Sequence, residues 1–133
     1  MRTIVVLNQK GGVGKTTTAV NLAAALSLIG RQVVLVDTDT QGQVGQALGI
    51  ASDTGIAELI VGELSLDEAI VPARPRLDLL TGGPALAKVN RQFVGMENGS
   101  ERALGTALKS LEDRYEYVIV DTAPGWDALQ ANV

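Results

Sequence analysis

Apolar residues follow two rhythms along this chain. Three short runs are almost unbroken: Thr3-Ile4-Val5-Val6-Leu7, Val33-Val34-Leu35-Val36 and Val118-Ile119-Val120. Each ends at a polar residue, Asn8, Asp37 or Asp121. A continuous run of this length reads as a strand covered on both faces. Between the first two runs the spacing changes to i, i+3, i+4, i+7, with Ala19, Leu22, Ala23, Leu26 and Ile29 on one helical face. The pattern predicts strands over 3–8, 32–37, 76–80 and 116–121. It predicts a helix over 15–29 that ends at Gly30, and further helices over 84–93 and 101–113. Residues 38–50 read as a loop with a short helical stretch. Residues 54–61 and 65–70 read as short helices, the second capped by Ser65 with Glu68 three residues on. Asn98-Gly99 breaks the pattern, Ser100 can cap the helix over 101–113, and a last helix starts near Trp126. The order β-α-β-α-β-α-β implies an α/β fold: a mostly parallel sheet with helices on both faces, in one domain over 1–133.

The connection between the first strand and the first helix carries the chemistry. It reads Asn8-Gln9-Lys10-Gly11-Gly12-Val13-Gly14-Lys15-Thr16-Thr17. Strand, glycine loop, lysine, hydroxyl residue and helix is the layout of a phosphate-binding P-loop. Glycines let successive backbone N–H groups turn inward around a phosphate, and the helix N-terminus adds its free donors and positive dipole end. Lys15 supplies charge for the β- and γ-phosphates, and the Thr16 hydroxyl suits Mg²⁺. The general pattern would place its first glycine at position 9, which is Gln, and a second lysine, Lys10, comes next. A second lysine bracketing one cradle points toward a second molecule, or is a solvated surface residue.

Two aspartates stand where ligands bind in such sheets, at the carboxyl ends of predicted strands. Asp39 fits a group that holds water in line with a terminal phosphate and joins the Mg²⁺ shell. It fits equally a turn residue after a strand. Asp121 fits a carboxylate holding Mg²⁺ through water, or a strand-terminal turn residue. Asp37 lies on the same side as Asp39 and is suited to a bond with the P-loop or with an outer water. Trp126 reads as a surface anchor or a core residue.

The loop resembles the deviant P-loop, K-G-G-x-G-K-[ST], of the ParA/MinD family of ATPases. Val33-Val34-Leu35-Val36-Asp37-Thr38-Asp39-Thr40-Gln41-Gly42 resembles that family's switch I, and Tyr117-Val118-Ile119-Val120-Asp121-Thr122-Ala123-Pro124 its Walker B strand and switch II. Thr40 stands where the family usually has Pro, leaving that loop less rigid. Asp39-Thr40-Gln41-Gly42-Gln43 is closer to the ParA/Soj version than to the MinD version. The resemblance implies the N-terminal portion of a P-loop NTPase fold, with ATP and Mg²⁺ as cofactors. It implies slow, partner-stimulated ATP hydrolysis and an ATP-dependent homodimer in which Lys10 reaches the partner's phosphates. The site residues it implies are catalytic Lys10, Lys15 and Asp39, a nucleotide cradle of Lys10, Gly11, Gly12, Val13, Gly14, Lys15, Thr16 and Thr17, and Thr16, Asp39 and Asp121 around the metal. Thr122-Ala123-Pro124-Gly125 would sense the γ-phosphate. The same likeness implies a ParB-like activator, nonspecific DNA bound by the full-length dimer, and partition of plasmid, chromosome or protein cargo. Family members are longer, so the domain is expected to be incomplete at its C-terminus, with the adenine-contacting segment beyond Val133.

Composition narrows the field. The chain has 133 residues, 46% hydrophobic, enough for one domain with a sizeable core. Its net charge of −4 argues against nucleic-acid binding by this segment through bulk electrostatics. Without cysteine or histidine it has no disulfide, thiolate metal site or imidazole base, and a nitrogenase iron-protein relative is excluded because its cluster needs cysteines. No run is long enough to span a membrane, and no signal-peptide layout opens the chain. The expected location is therefore the cytoplasm, nucleoid-associated when ATP is bound. A dinucleotide-binding reading fails at Thr17, where the third glycine of that fingerprint would fall. The alternatives that stand are a MinD-like membrane-positioning ATPase and a metabolic P-loop ligase or kinase of the same superfamily.

Overall fold

The structure is a computed structural model, and it describes residues 2–6, 14–39, 41–52, 54–92 and 105–121. The elements are β1 (Arg2–Val6), α1 (Lys15–Leu28), β2 (Val33–Asp37), α2 (Gln43–Leu48), α3 (Ile56–Val61), α4 (Leu66–Ala69), β3 (Val71–Arg74), β4 (Leu77–Leu80), α5 (Ala85–Gln92) and β5 (Tyr117–Asp121). Residues 105–109 are also helical. The expected helix starting near Trp126 lies outside the described residues.

One five-stranded sheet runs β1-β5-β2-β4-β3. β5 pairs in parallel with both β1 and β2, and β2 in parallel with β4. Val33, Val34, Leu35 and Val36 are all fully buried, as their unbroken run requires of a central strand. Alternation then sorts them between two cores. Val34 and Val36 join Leu80, Val118 and Val120 under Ile56, Leu86 and Leu111. Val33 and Leu35 join Leu77, Leu79 and Ile119 under Ala19, Ala23, Val44 and Leu48. α1 and α2 thus cover one face, and α3, α5 and the segment around Leu111 cover the other, which is the expected α/β layering.

β3 was not among the expected strands. It is antiparallel to β4, with a register irregularity between Pro72 and Arg74. Pro72 argues against a strand in the sequence, yet an edge strand tolerates a residue that cannot donate to a ladder. Ile29 also departs from expectation. It is 71% exposed, because α1 ends one residue earlier, at Leu28. Gly30 takes φ 92°, its N–H donates to Ser27 O and the Arg31 N–H to Leu26 O. That pair of bonds is a Schellman end, which turns Ile29 away from the sheet. The Ser65 cap forms as expected: Ser65 Oγ accepts from the Glu68 N–H, and Glu68 Oε1 accepts from the Ser65 N–H.

At the end of the sheet away from the P-loop, the buried Tyr115 hydroxyl donates to Asp78 Oδ2 at 2.6 Å. Burial and this bond raise the phenol above its ordinary pKa. The contact links the entry of β5 to β4 across the sheet. Tyr115→Phe should keep the ring's packing, strip Asp78 of its donor, and cost about 1–2 kcal/mol in urea unfolding. An unchanged midpoint would mean that water replaces the phenol without loss.

Candidate functional site

The carboxyl ends of β2 and β5 gather the predicted acids. In register, Asp121 sits level with Asp37 on one side and Val6 on the other. Asp121 is fully buried at the end of three buried apolar residues. Its Oδ2 accepts from the Thr16 hydroxyl at 2.8 Å, although the two residues are 105 positions apart. α1 is what delivers Thr16. Gly14 caps it in the left-handed conformation, φ 81° and ψ 18°, and Gly14 O accepts from the Thr18 N–H at 2.9 Å and from the Thr18 hydroxyl. A glycine adopts that conformation without the strain a Cβ would bring. Lys15 is the first residue of the helix, so its backbone lies beside Thr16 at the N-terminal end, where the donors of the first turn are free.

Past β2 the chain turns sharply. The Thr38 hydroxyl and amide both donate to Asp121 O, at 2.8 and 3.0 Å. The Asp39 N–H donates to Asp37 Oδ1 at 2.8 Å. Asp39 Oδ1 accepts from the Gln41 N–H at 2.9 Å, so the turn role anticipated for Asp39 is real and occupies one of its oxygens. Asp39 O accepts from two amides, Gly42 at 3.1 Å and Gly83 at 2.9 Å.

Asp37 is the strained member. It is fully buried, and its Oδ2 has no hydrogen-bond partner among the described residues. Burial pushes its pKa up to about 6; the Asp39 amide and, less strongly, the Val44 amide oppose this, and the charges of Asp121 and Asp39 add to it. A buried polar oxygen without a partner is costly unless something completes it. The oxygens assembled here are carboxylate and hydroxyl, the hard donors Mg²⁺ takes. Among the described residues no three acidic groups converge into a ready-made cage. That fits a cation that keeps several waters and shares its shell with phosphate oxygens.

The structure therefore brings Gly14, Lys15, Thr16, Asp37, Asp39 and Asp121 to one sheet edge, with Thr17 exposed on the first turn of α1. Lys10, Gly11, Gly12 and Val13, Thr40, the segment Thr122-Ala123-Pro124-Gly125 and Trp126 lie outside the described residues, and so does the side chain of Lys15. Two participants escaped the sequence reading. Thr38 ties switch I to β5, with no signal beyond its place between two aspartates. In Thr81-Gly82-Gly83-Pro84, directly after β4, Gly82 packs on the backbone of Asp37 and Asp39 and the Gly83 N–H donates to Asp39 O. Its Gly-Gly-Pro run marks a turn in the sequence, but not what the turn touches.

The mostly parallel sheet with helices on both faces is the fold of P-loop NTPases, and the comparisons agree. The chain matches the AAA domain family over residues 1–133 and belongs to it. Its curated relatives include ParA and Soj partitioning proteins. Chromosome partitioning protein ParA of Myxococcus xanthus is 41% identical over 98% of this chain and 47% of that protein. Chromosome-partitioning ATPase Soj of Thermus thermophilus is 38% identical over 99% of this chain and 50% of that protein. This chain spans about half the length of the curated relatives it matches. Among solved structures, cobyrinic acid a,c-diamide synthase of Mycobacterium smegmatis, with bound ATP analogue and magnesium, superposes with a TM-score of 0.89 at 36% identity, over 99% of this chain and 55% of that one. A plasmid partition protein of Borrelia burgdorferi does so with a TM-score of 0.83 at 29% identity, over 98% and 59%. No helix among the described residues is long and apolar enough to cross a membrane.

Asp37 makes a pH prediction. Its acid keeps its proton in the fold up to about pH 6, whereas the ordinary value is 3.8. Between those values the folded chain holds a proton the unfolded chain has lost, so Asp37 makes stability fall as pH rises through the window. Asp37→Asn, neutral throughout, should remove that fall. In nucleotide-free, Mg²⁺-free urea titrations, it should gain roughly 1–3 kcal/mol on wild type between the two ends of the window. Parallel pH profiles for the two proteins would show that Asp37 is not held as an unfavourable buried charge.

Proposed function

We propose that this chain is the nucleotide-binding part of a ParA-like, Mg²⁺-dependent ATPase that works as an ATP-dependent dimerisation switch. The observation that carries the reading is the Thr16–Asp121 hydrogen bond. It sets a hydroxyl on the first turn of α1 against a buried carboxylate at the carboxyl end of β5, which supports the P-loop and Walker B roles given to these two residues. The curated relatives named as ParA and Soj support the same reading.

In this reading, the backbone amides of 11–17 and the Lys15 ammonium surround the phosphates. Thr16, Asp121 and Asp39 would hold Mg²⁺. Mg²⁺, when bound, neutralises charge on the β- and γ-phosphates. Asp39, with one oxygen fixed by the Gln41 amide, turns the other to the attacking water and orients it. Lys10 crosses the dimer to the partner's phosphates and adds positive charge where the transition state gathers negative charge. Loss of the γ-phosphate would relax switch I and switch II and so open the dimer. A ParB-like partner would stimulate the slow hydrolysis. The full-length dimer would hold nonspecific DNA through surfaces mostly outside this chain, in the cytoplasm and on the nucleoid.

The likeness to cobyrinic acid a,c-diamide synthase favours one second reading, a metabolic ATP-dependent ligase of the same superfamily. Such an enzyme would need a pocket for an acceptor. Among the described residues, a cleft of about 290 Å³ beside Ser52, Glu58 and Thr81, next to the Asp39 loop, is one candidate for it.

Solution mass with and without ATP and Mg²⁺ separates the two, using full-length Asp39→Ala and the same variant with Lys10→Ala added. The switch predicts an ATP-dependent dimer in the first and a monomer in the second. A monomer in both, with ATP bound tightly, would sink the switch and favour the ligase, which would release phosphate only with an organic acceptor. Lys15→Ala should lower ATP affinity by about a hundredfold or more in a direct binding titration, the scale of losing a charged phosphate contact. Unchanged affinity would remove Lys15 from the cradle.

A further inference from the structure

We propose that Gly82, in the turn between β4 and α5, is a positioning residue for Asp39. The inference rests on the proposed role of Asp39 in orienting the attacking water. Asp39 is fixed through its backbone: its N–H is held by Asp37, and its carbonyl oxygen by the amides of Gly42 and Gly83. The Gly83 amide is the contribution of the β4–α5 turn, which lies 44 positions along the chain, 83 against 39. It can reach only because Gly82 lies flat against the same strip of backbone. A Cβ on Gly82 would stand 2.5 Å from Asp39 O, 2.9 Å from Asp37 O and 3.1 Å from Asp37 Cγ.

The two nearest of these atoms are backbone carbonyl oxygens, which no rotamer change can move aside. Nor can the turn simply swing away. Its preceding residue, Thr81, is tied on the far side, where the Thr81 hydroxyl donates to Thr54 O at 2.7 Å and Thr81 O accepts from the Ile56 N–H at 3.0 Å. A side chain at 82 must therefore drive the Asp39 backbone and this turn apart by an appreciable fraction of an ångström, and break or lengthen the Gly83–Asp39 bond. Misplacing a catalytic group by about 1 Å costs up to about a hundredfold in rate. The phosphate cradle proposed above belongs to a different connection, the one between β1 and α1, so the ATP Kd, read without Mg²⁺ so that the metal role proposed for Asp39 does not enter, should stay as it is.

The test is steady-state ATP turnover and direct ATP binding on the full-length protein, for wild type, Gly82→Ala, Asp39→Asn and Gly105→Ala. Gly105 has nothing within 4 Å of an added Cβ, so its variant controls for glycine substitution as such. Gly82→Ala should lower kcat by about tenfold to a hundredfold, with the ATP Kd within about threefold of wild type. Turnover within about twofold of wild type, or a loss of affinity as large as the loss of kcat, would overturn the proposal. Normal turnover by Asp39→Asn would overturn the reading of Asp39 and this proposal with it. An inactive Asp39→Asn beside an unimpaired Gly82→Ala would overturn this proposal alone. Should Gly82→Ala fail to fold, Thr81→Val decides. It keeps the shape, removes the Thr54 tie and loosens the same turn, so kcat should fall about two- to fivefold at unchanged ATP Kd. Unchanged kcat in that variant would overturn the proposal.

Discussion

The insertion of β5 between β1 and β2 is the constraint on which the site depends. Parallel pairing on both sides fixes Asp121 level with Asp37 and Val6, so a carboxylate late in the chain arrives beside a loop that begins at its start. The Thr16 hydroxyl and the Thr38 hydroxyl then bond to the two ends of the same residue, its side chain and its carbonyl oxygen. A slip of β5 by one residue would turn Asp121 to the opposite face and put an apolar side chain in its place. Register is protected against that slip because Val118 and Val120 belong to one core and Ile119 to the other.

That arrangement concentrates negative charge where water is excluded. Asp37 and Asp121 are both fully buried and Asp39 nearly so, and the three lie on two adjacent strand ends. Burial and the charges of Asp121 and Asp39 disfavour the ionised form of Asp37, whose Oδ2 has no hydrogen-bond partner among the described residues. Hydrophobic burial of the flanking Val and Leu residues holds the acids in place against this repulsion. A site so built is stabilised by whatever cation and amide donors complete it, because they satisfy acceptors that folding alone leaves unmet.

Much of this was legible in the residues, and the reasons for the remainder are physical. Unbroken apolar runs identified the central strands because a strand buried on both faces has no polar alternative. The P-loop was legible because glycines, lysine and hydroxyl must succeed one another in sequence to surround one phosphate. β3 was not, since four residues that include a proline carry no strand signal and form one only because β4 offers an edge. Ile29 fits the helical period, but the period does not know where the helix stops; Gly30 stops it and Ile29 turns outward. The role of the turn after β4 was hidden for a different reason. Its Gly-Gly-Pro run announces a change of direction, whereas what it touches is set by the order of strands in the sheet.

The strand order also explains why the turn after β4 belongs to the site. β4 is the neighbour of β2 on the side away from β5, so its carboxyl end opens beside the segment just past Asp37. That segment is therefore gripped from two directions: Thr38 is bound to β5, and Asp39 is bound to the β4–α5 turn through the Gly83 amide. A loop held on one side only would track the nucleotide passively. A loop held on both sides can move only by exchanging one set of hydrogen bonds for another, which favours two discrete arrangements over a continuum. The grip from β4 extends outward as well, through Thr81 to Thr54 and to the start of α3. A rearrangement at Asp39 that breaks the Gly83 bond must therefore work against a turn that is itself tied to the start of α3, which is why the Asp39 segment is held more firmly than a loop anchored on one strand alone.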